Sequence, residues 1–282
     1  MEQITYTNKR GQSVVLGDSA PYILTKLEGA GAVQADIQTQ KAPYQDGVTH
    51  INTLLEPRSL SIELTVLGAD EAETYARRRK LVQVLNPKLG AGVLRYEVGG
   101  IVREIEAVPE LAPVFPPDRV HGDVMQPGLL QLLCPSPFWM EAYTESEEIV
   151  TWIGGLRFPW RLPSRFAMKG PKIINIVNQG DVETPVRIEF RGPATNPRVT
   201  NQTSGEYIQV NRELLHGDLL VIATDFGAKR VEINGQNVFN WIDLGSTFWQ
   251  LQVGDNVIEY SSDDPVEAAT VSISYRTRYV GI

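Results

Sequence analysis

Gly17-Asp18-Ser19 places a serine behind a Gly-Asp pair, and Asp118-Arg119-Val120-His121 places a histidine three residues after an aspartate. These are the residue types of a hydrolytic triad, in which a base takes the hydroxyl proton and an acid orients the base. Other reactive residues are sparse. Cys134 follows Leu129, Leu130, Leu132 and Leu133 with no histidine near it in sequence, and reads as a small core hydrophobe. His50, His121 and His216 lie far apart without ligand-like neighbours, so no metal site is expected. Asp263-Asp264 reads as a solvated turn, and Asn201-Gln202-Thr203 matches a glycosylation sequon by pattern alone. Arg77-Arg78-Arg79-Lys80 is a basic run whose members point in several directions on a helix. That fits a solvated face or a subunit contact better than a nucleic-acid site.

The triad-like spacing resembles that of GDSL-type esterases, in which the serine follows a parallel strand of an α/β sheet and oxyanion-hole Gly and Asn blocks come between. Such a sheet needs repeated βαβ units. This sequence offers one helix and no recognisable oxyanion blocks. Asp225-Phe226-Gly227 copies a protein-kinase tripeptide, but no glycine-rich loop or His-Arg-Asp accompanies it, and it reads as a turn between strands. No catalytic, cofactor-binding or metal-binding residue is therefore assigned.

The elements around these residues are mostly strands. Ser13-Val14-Val15-Leu16 ends at the Gly17-Asp18 turn. The stretch from Gln34 to Arg58 is polar and extended, with Asp46-Gly47 near its middle, a strong hairpin signal. A long polar hairpin projects from its domain or pairs with a neighbour. Leu60, Ile62, Leu64 and Val66 alternate with Ser61, Glu63 and Thr65, as a half-buried strand requires. A helix is predicted from Asp70 to Leu85, opened by Asp70 with Glu73 three residues on and stopped by Asn86-Pro87. Tyr75, Leu81, Val82 and Leu85 are expected on its apolar face. Arg78 sits inside that stripe, its stem covering the core edge or its head meeting a partner. Strands at Val93–Val98, Ile101–Val108 and Gly128–Cys134 complete the first half.

Trp152 to Pro171 is dense in Gly, Pro, Arg and aromatics, which suits an extended connector. From Lys172 onward short strands alternate with turns and no helical period appears, so an all-β sandwich is expected. Within it, Trp249, Leu251 and Val253 alternate with Gln250 and Gln252. Gly254-Asp255-Asn256 then reads as a turn into Val257, Ile258 and Tyr260, predicting two antiparallel strands joined by a tight corner.

With 282 residues the chain has room for one large domain or two ordinary ones. Its 42% apolar and 21% charged composition fits a globular protein. A formal net charge of −8 repels nucleic acid on average. The first residues lack the hydrophobic segment of a signal peptide, and no apolar run approaches the ~18 residues of a membrane helix. Synthesis in a cytoplasm, without secretion or a membrane partner, is the expectation.

Taken in order, several segments resemble the distal tail protein (Dit) family of siphovirus-type bacteriophages. "DGVTHINTLLEPRSLSIELTVLG" is similar to that family's hairpin, arginine and strand, and "YARRRKLVQVLNP" to its helix. "CPSPFW" resembles the close of its first domain, and "LRFPWRLPSRF" its connector. "NQGDVETPVRIEFRGPATNPRVTNQTSGEYIQV" with "LLHGDLLVIATDFGAKRVEING" resembles its second domain. The resemblance implies a mainly β fold: a tail-tube-like β domain with one α-helix over residues 1–141, a connector over 142–171, and a galectin-like β-sandwich over 172–282. It implies a structural virion protein at the distal end of the tail. Six copies would form a ring joining the major tail tube protein to a tail-tip protein and a receptor-binding protein, with DNA passing through non-specifically. Tyr44, Asp46, Gly47, His50, Arg58 and Arg78 are then expected at the subunit interface. Asn196, Arg198, Trp241 and Trp249 are candidates for a partner or glycan surface. Asn196-Pro197-Arg198 echoes a galectin sugar-binding segment, although Ala194 stands where that segment has histidine. A carbohydrate-binding module is the alternative reading.

Overall fold

The computed structural model describes residues 2–116, 124–150, 152–153, 168–169, 172–263 and 269–282. Most of the connector expected at 142–171, Asp118, His121 and Asp264 lie outside them. The chain divides into two compact units. Residues 1–142 together with 279–282 form the first, and residues 143–278 form the second.

The first unit is built on β1 (Glu2–Thr7), β2 (Ser13–Leu16), β3 (Tyr22–Glu28), β4 (Ala35–Gln40), β5 (Thr49–Leu55) and β6 (Arg58–Leu67). Helix α1 (Glu71–Val84) follows, then β7 (Gly92–Val98), β8 (Ile101–Pro109), β9 (Met125–Cys134) and β10 (Trp139–Glu141). One antiparallel sheet runs β2-β1-β7-β8-β9-β6-β3. Its two end strands meet at Gly17: its N–H donates to the Tyr22 carbonyl (3.1 Å), and its carbonyl accepts from Leu24 N–H (2.8 Å). The two end strands are thus joined through an isolated parallel bridge between Gly17 and Ile23. The alternation read in β6 is observed: Leu60, Ile62, Leu64 and Val66 are buried in one cluster with Ile4, Leu94 and Leu130.

Helix α1 begins as its sequence dictates. The Asp70 carboxylate accepts from Glu73 N–H (2.7 Å), and the Glu73 carboxylate reaches back to Ala69 N–H (2.7 Å). The two satisfy otherwise orphaned first-turn donors. The buried stripe is one position away from the expected one. Thr74, Leu81 and Val84 face the core, with Leu85 just beyond, while Tyr75 and Val82 are exposed. Positions 74, 78, 81 and 85 share a face at 3.6 residues per turn. Leu81 and Leu85 fit either stripe, so Thr74 at the head decides the seam, and its hydroxyl is satisfied by donating to the Asp70 carbonyl (2.9 Å).

Cys134 is fully buried, and burial pushes its thiol up to about 12. The unfolded thiol ionises near pH ~8.5 and the folded one does not, so stability falls as pH rises from that value toward the folded one. Ellman's reagent at pH 8 should leave Cys134 unmodified in native protein and label it fully in denaturant. Rapid native labelling would contradict this burial.

In the second unit, one sheet orders strands Glu145–Val150, Thr270–Tyr275, Thr184–Arg191, Leu219–Ala223, Arg230–Ile233 and Gln236–Asn237. The other orders Ile173–Asn178, Gly254–Ser261, Arg198–Asn201 and Glu206–Gln209. Val186, Ile188 and Phe190 from the first sheet and Val199, Ile208, Ile258 and Tyr260 from the second share one core. Their alternating inward residues are what a two-layer β packing requires. The expected tight corner after Trp249 is not a hairpin. Gln250–Leu251 pairs with Thr184–Pro185 in one sheet, while Gly254–Ser261 lies in the other. The crossing is fixed by Asn256, whose amide donates to the carbonyls of Gln252 (2.8 Å) and Gly254 (2.9 Å) and whose oxygen accepts from Gln252 N–H (2.9 Å). A buried side chain does here what the sequence pattern assigned to a turn.

Candidate assembly interface

β4 and β5 form a two-stranded sheet of their own, joined to no other strand among the described residues. Every residue of β4 is exposed, and in β5 only Leu55 is partly covered. Apolar side chains are on show: Ile37 is 61%, Ile51 58% and Leu54 50% exposed. A lone hairpin in water is at best marginal. Both of its outer edges also carry unpaired backbone donors and acceptors. The register shifts between Gln38 and Thr39, which makes Ile51 the extra residue of a bulge.

The tip spans residues 41–48, longer than the two-residue turn that Asp46-Gly47 signals. Gly47 does adopt positive φ (75°), and so does Tyr44 (64°), whose side chain stands clear of the chain. Gln45 organises the tip: its side chain accepts from Ala42 N–H (3.0 Å) and donates to the Thr49 hydroxyl (3.1 Å). His50 is exposed and hydrogen-bonded to the Thr53 hydroxyl (2.7 Å).

Arg58 is not on this surface. It is 2% exposed, and its guanidinium is enclosed by the chain's own carbonyls. It donates to Pro137 (2.9 Å), Ala30 (2.8 Å) and Ala32 (3.1 Å), and also to Gly29 and Val280. Three separate stretches thus converge at the hairpin root, where Glu56 N–H also donates to the Gln34 carbonyl (2.9 Å). Trp139 adds a bond from its indole to the Ala30 carbonyl (3.0 Å). Burial lowers the pKa of Arg58, and carbonyl dipoles in place of carboxylates keep the charge solvated. Gly29 is obligatory in this turn: φ is 86°, and a Cβ would lie 2.1 Å from the Ser59 carbonyl oxygen. The family resemblance implies an interface place for Arg58, and nothing local in the sequence reveals the distant carbonyls that claim it.

Arg78 is half-buried, with its guanidinium 4.7 Å from the centre of the Phe115 ring, so its stem does cover the core edge. Its neighbour Arg77 pairs with Glu73 (2.5 Å). The basic run is split between different partners.

The residues proposed for a glycan surface are mostly occupied. Trp249 is 1% exposed inside the sandwich core and cannot stack on a sugar. Arg198 lies flat on Tyr207 (3.7 Å), whose hydroxyl donates to the Asp243 carboxylate (2.8 Å). That bond, first among several, holds Asp243 below the usual carboxylate range. Asn196 donates to Asp263 (2.6 Å). Trp241 is half-buried under the Arg212 guanidinium (3.7 Å). The indole N–H of Trp249 has no acceptor among the described residues. Trp249→Phe removes the unpartnered N–H but also part of the buried ring, so it should cost clearly less than Trp249→Ala. Trp249→Ala should cost about 3–5 kcal/mol by cavity formation. Thermal melts decide it, and equal costs would mean that the indole N–H has a partner.

Ser19 is exposed in the connection between β2 and β3, two strands of an antiparallel sheet, not at a strand-to-helix elbow. No cluster of three or more His, Cys, Asp or Glu side chains suited to a metal occurs among the described residues. No helix among them is long and apolar enough to cross a membrane.

Two family models match the chain. Residues 9–134 match the phage tail protein RIFT-related domain, and residues 179–279 match the C-terminal domain of siphovirus-type tail components. The chain belongs to the distal tail protein family of siphovirus-type phages. It is a structural component of the distal tail. The fold of this distal tail protein is similar to that of the Dit protein of phage SPP1, described as a hub of the adsorption apparatus in phages infecting Gram-positive hosts. That likeness has a TM-score of 0.72 at 14% identity and covers 99% of each chain. It is also similar to a chain of the phage p2 baseplate in its activated conformation, with a TM-score of 0.55 at 11% identity over 100% of each chain. No curated protein matches it in sequence.

Proposed function

We propose that six copies of this distal tail protein close into a ring through the β4–β5 hairpin, each hairpin laying a strand edge and its apolar side chains on the neighbouring subunit. The observation that carries this reading is the hairpin itself: a long two-stranded sheet with free edges and exposed Ile37, Ile51 and Leu54, held at its root by a buried arginine. Such edges are a liability unless another chain covers them. Tyr44, Asp46 and Gly47 at the tip, and His50 just beyond it in β5, meet the neighbour. The ring joins the major tail tube protein to the tail-tip protein, and the second unit carries receptor-binding or other baseplate components. It works without catalysis. Six copies at −8 each carry −48, a field that lets DNA pass through the bore without sticking. Native mass spectrometry of the purified chain across a concentration series tests the assembly, because a ring must grow in with concentration. A hexamer, or a multiple of it, is expected. A strict monomer that remains so in the presence of the tail tube and tail-tip proteins refutes it.

A further inference from the structure

The second unit contains a cleft of about 260 Å³ that lies apart from the β4–β5 hairpin in sequence and unit. Its apolar wall is Leu215, Ile233 and Val238, with Trp241 lining one side beneath the Arg212 guanidinium. Arg212, Asp218, Asn234 and Gln236 bring polar groups to the same space. An apolar wall with a few convergent polar groups is the general form of a small-ligand site.

The polar groups are arranged in advance. Asp218 is fixed through both oxygens: one accepts from Asn234 Nδ2 (2.8 Å), the other from Leu215 N–H (2.8 Å). Each oxygen keeps a further lone pair. Asn234 is itself locked, its oxygen accepting from Leu219 N–H (3.0 Å). Arg212 is held flat on Trp241, and none of its side-chain N–H groups has an acceptor among the described residues. The cleft therefore sets free donors beside a fixed acceptor over an apolar wall.

Charge narrows the ligand class. One cation faces two carboxylates, Asp218 and the lining Glu213, so a phosphate or carboxylate ligand meets net repulsion. A neutral polyol does not: each hydroxyl both donates and accepts, and the C–H face of a pyranose matches an apolar wall. A cleft of this size has room for at least one sugar residue. The geometry points to a binding site for a single neutral pyranose residue in the Arg212–Asp218–Trp241 cleft. It neighbours the Asn196-Pro197-Arg198 segment, whose Asn196 N–H donates to the Arg212 carbonyl (3.1 Å), but the side chains of Asn196 and Arg198 are engaged by Asp263 and Tyr207. This site is independent of ring formation and is tested without it.

Saturation-transfer NMR of the full chain with methyl glucoside, methyl galactoside and methyl N-acetylglucosaminide at millimolar concentration is the measurement. Transfer to at least one glycoside is expected. Arg212→Ala and Gln236→Ala should each lower its affinity at least tenfold, with the melting curve unchanged, and Arg198→Ala should have no effect. Absence of transfer to all three overturns the inference, as does loss on Arg198→Ala with Arg212→Ala unaffected. Arg212→Ala impairing co-assembly with a tail protein while no sugar binds would make the cleft a protein contact, and overturns it too.

Discussion

Ile37→Asp combined with Ile51→Asp should leave the subunit folded and abolish the ring. The two side chains are 61% and 58% exposed in the single chain, so the core does not register their loss. At a covered interface each apolar side chain contributes about 1.5–3 kcal/mol. Losing two weakens each contact by about 3–6 kcal/mol, on the order of 10²- to 10⁴-fold. Two carboxylates buried against a neighbour add a desolvation cost to that loss. A closed ring also requires every contact at once, which makes the mass distribution steeply sensitive to a single weakened interface. Native mass spectrometry and sedimentation should show monomers where the unaltered chain forms rings, with both melting transitions matching those of the unaltered chain at a dilution where it is monomeric. Rings of unchanged mass would dismiss the hairpin as the joint.

Arg58→Met should be the most destabilising single substitution in the first unit. The methionine fills part of the space but removes the guanidinium donors from the carbonyls of Gly29, Ala32, Pro137 and Val280, while Ala30 keeps only the Trp139 indole. Each unsatisfied buried group costs about 1–3 kcal/mol, so even partial rehydration leaves a loss of roughly 4 kcal/mol or more. That is a large share of a domain's total of about 5–15 kcal/mol. Lysine is not expected to rescue, because a compact ammonium with three donors cannot reproduce the planar fork. Scanning calorimetry should show the transition of residues 1–142 and 279–282 falling while that of 143–278 stays. A chain ending at Arg278 isolates part of the effect: it lacks the Val280 acceptor and the Tyr279 ring that stacks on Arg103 at 3.8 Å. Its loss should be smaller, about 1–3 kcal/mol. An Arg58→Met melting curve matching the native one would overturn the clamp.

The β-rich fold was readable because its strands obey local rules. Leu60 to Val66 alternates without interruption, and Gly99-Gly100 turns β7 into β8 with both glycines at positive φ. The hairpin was readable from its polarity and its Asp-Gly pair. The length of its tip was not, because Gln45 and Tyr44 shape it through bonds and backbone angles that no two-residue rule contains. The helix face was misplaced by one position because Leu81 and Leu85 fit two stripes and a buried threonine chose between them. Of the site residues, Trp249 and Arg58 were misjudged for one shared reason. Their burial depends on segments far away in sequence, and type and neighbours say only that an aromatic or a cation is present. The cleft at Arg212 was invisible for the same reason: its walls come from residues 212–218, 233–238 and 241, each unremarkable alone.

Because residues 279–282 return to the first unit, that unit cannot finish folding while the ribosome is still making the second. A nascent chain that stalls or is cut short before Tyr279 presents a hairpin whose anchor has an empty place. Such a fragment lacks the Val280 carbonyl that accepts from Arg58.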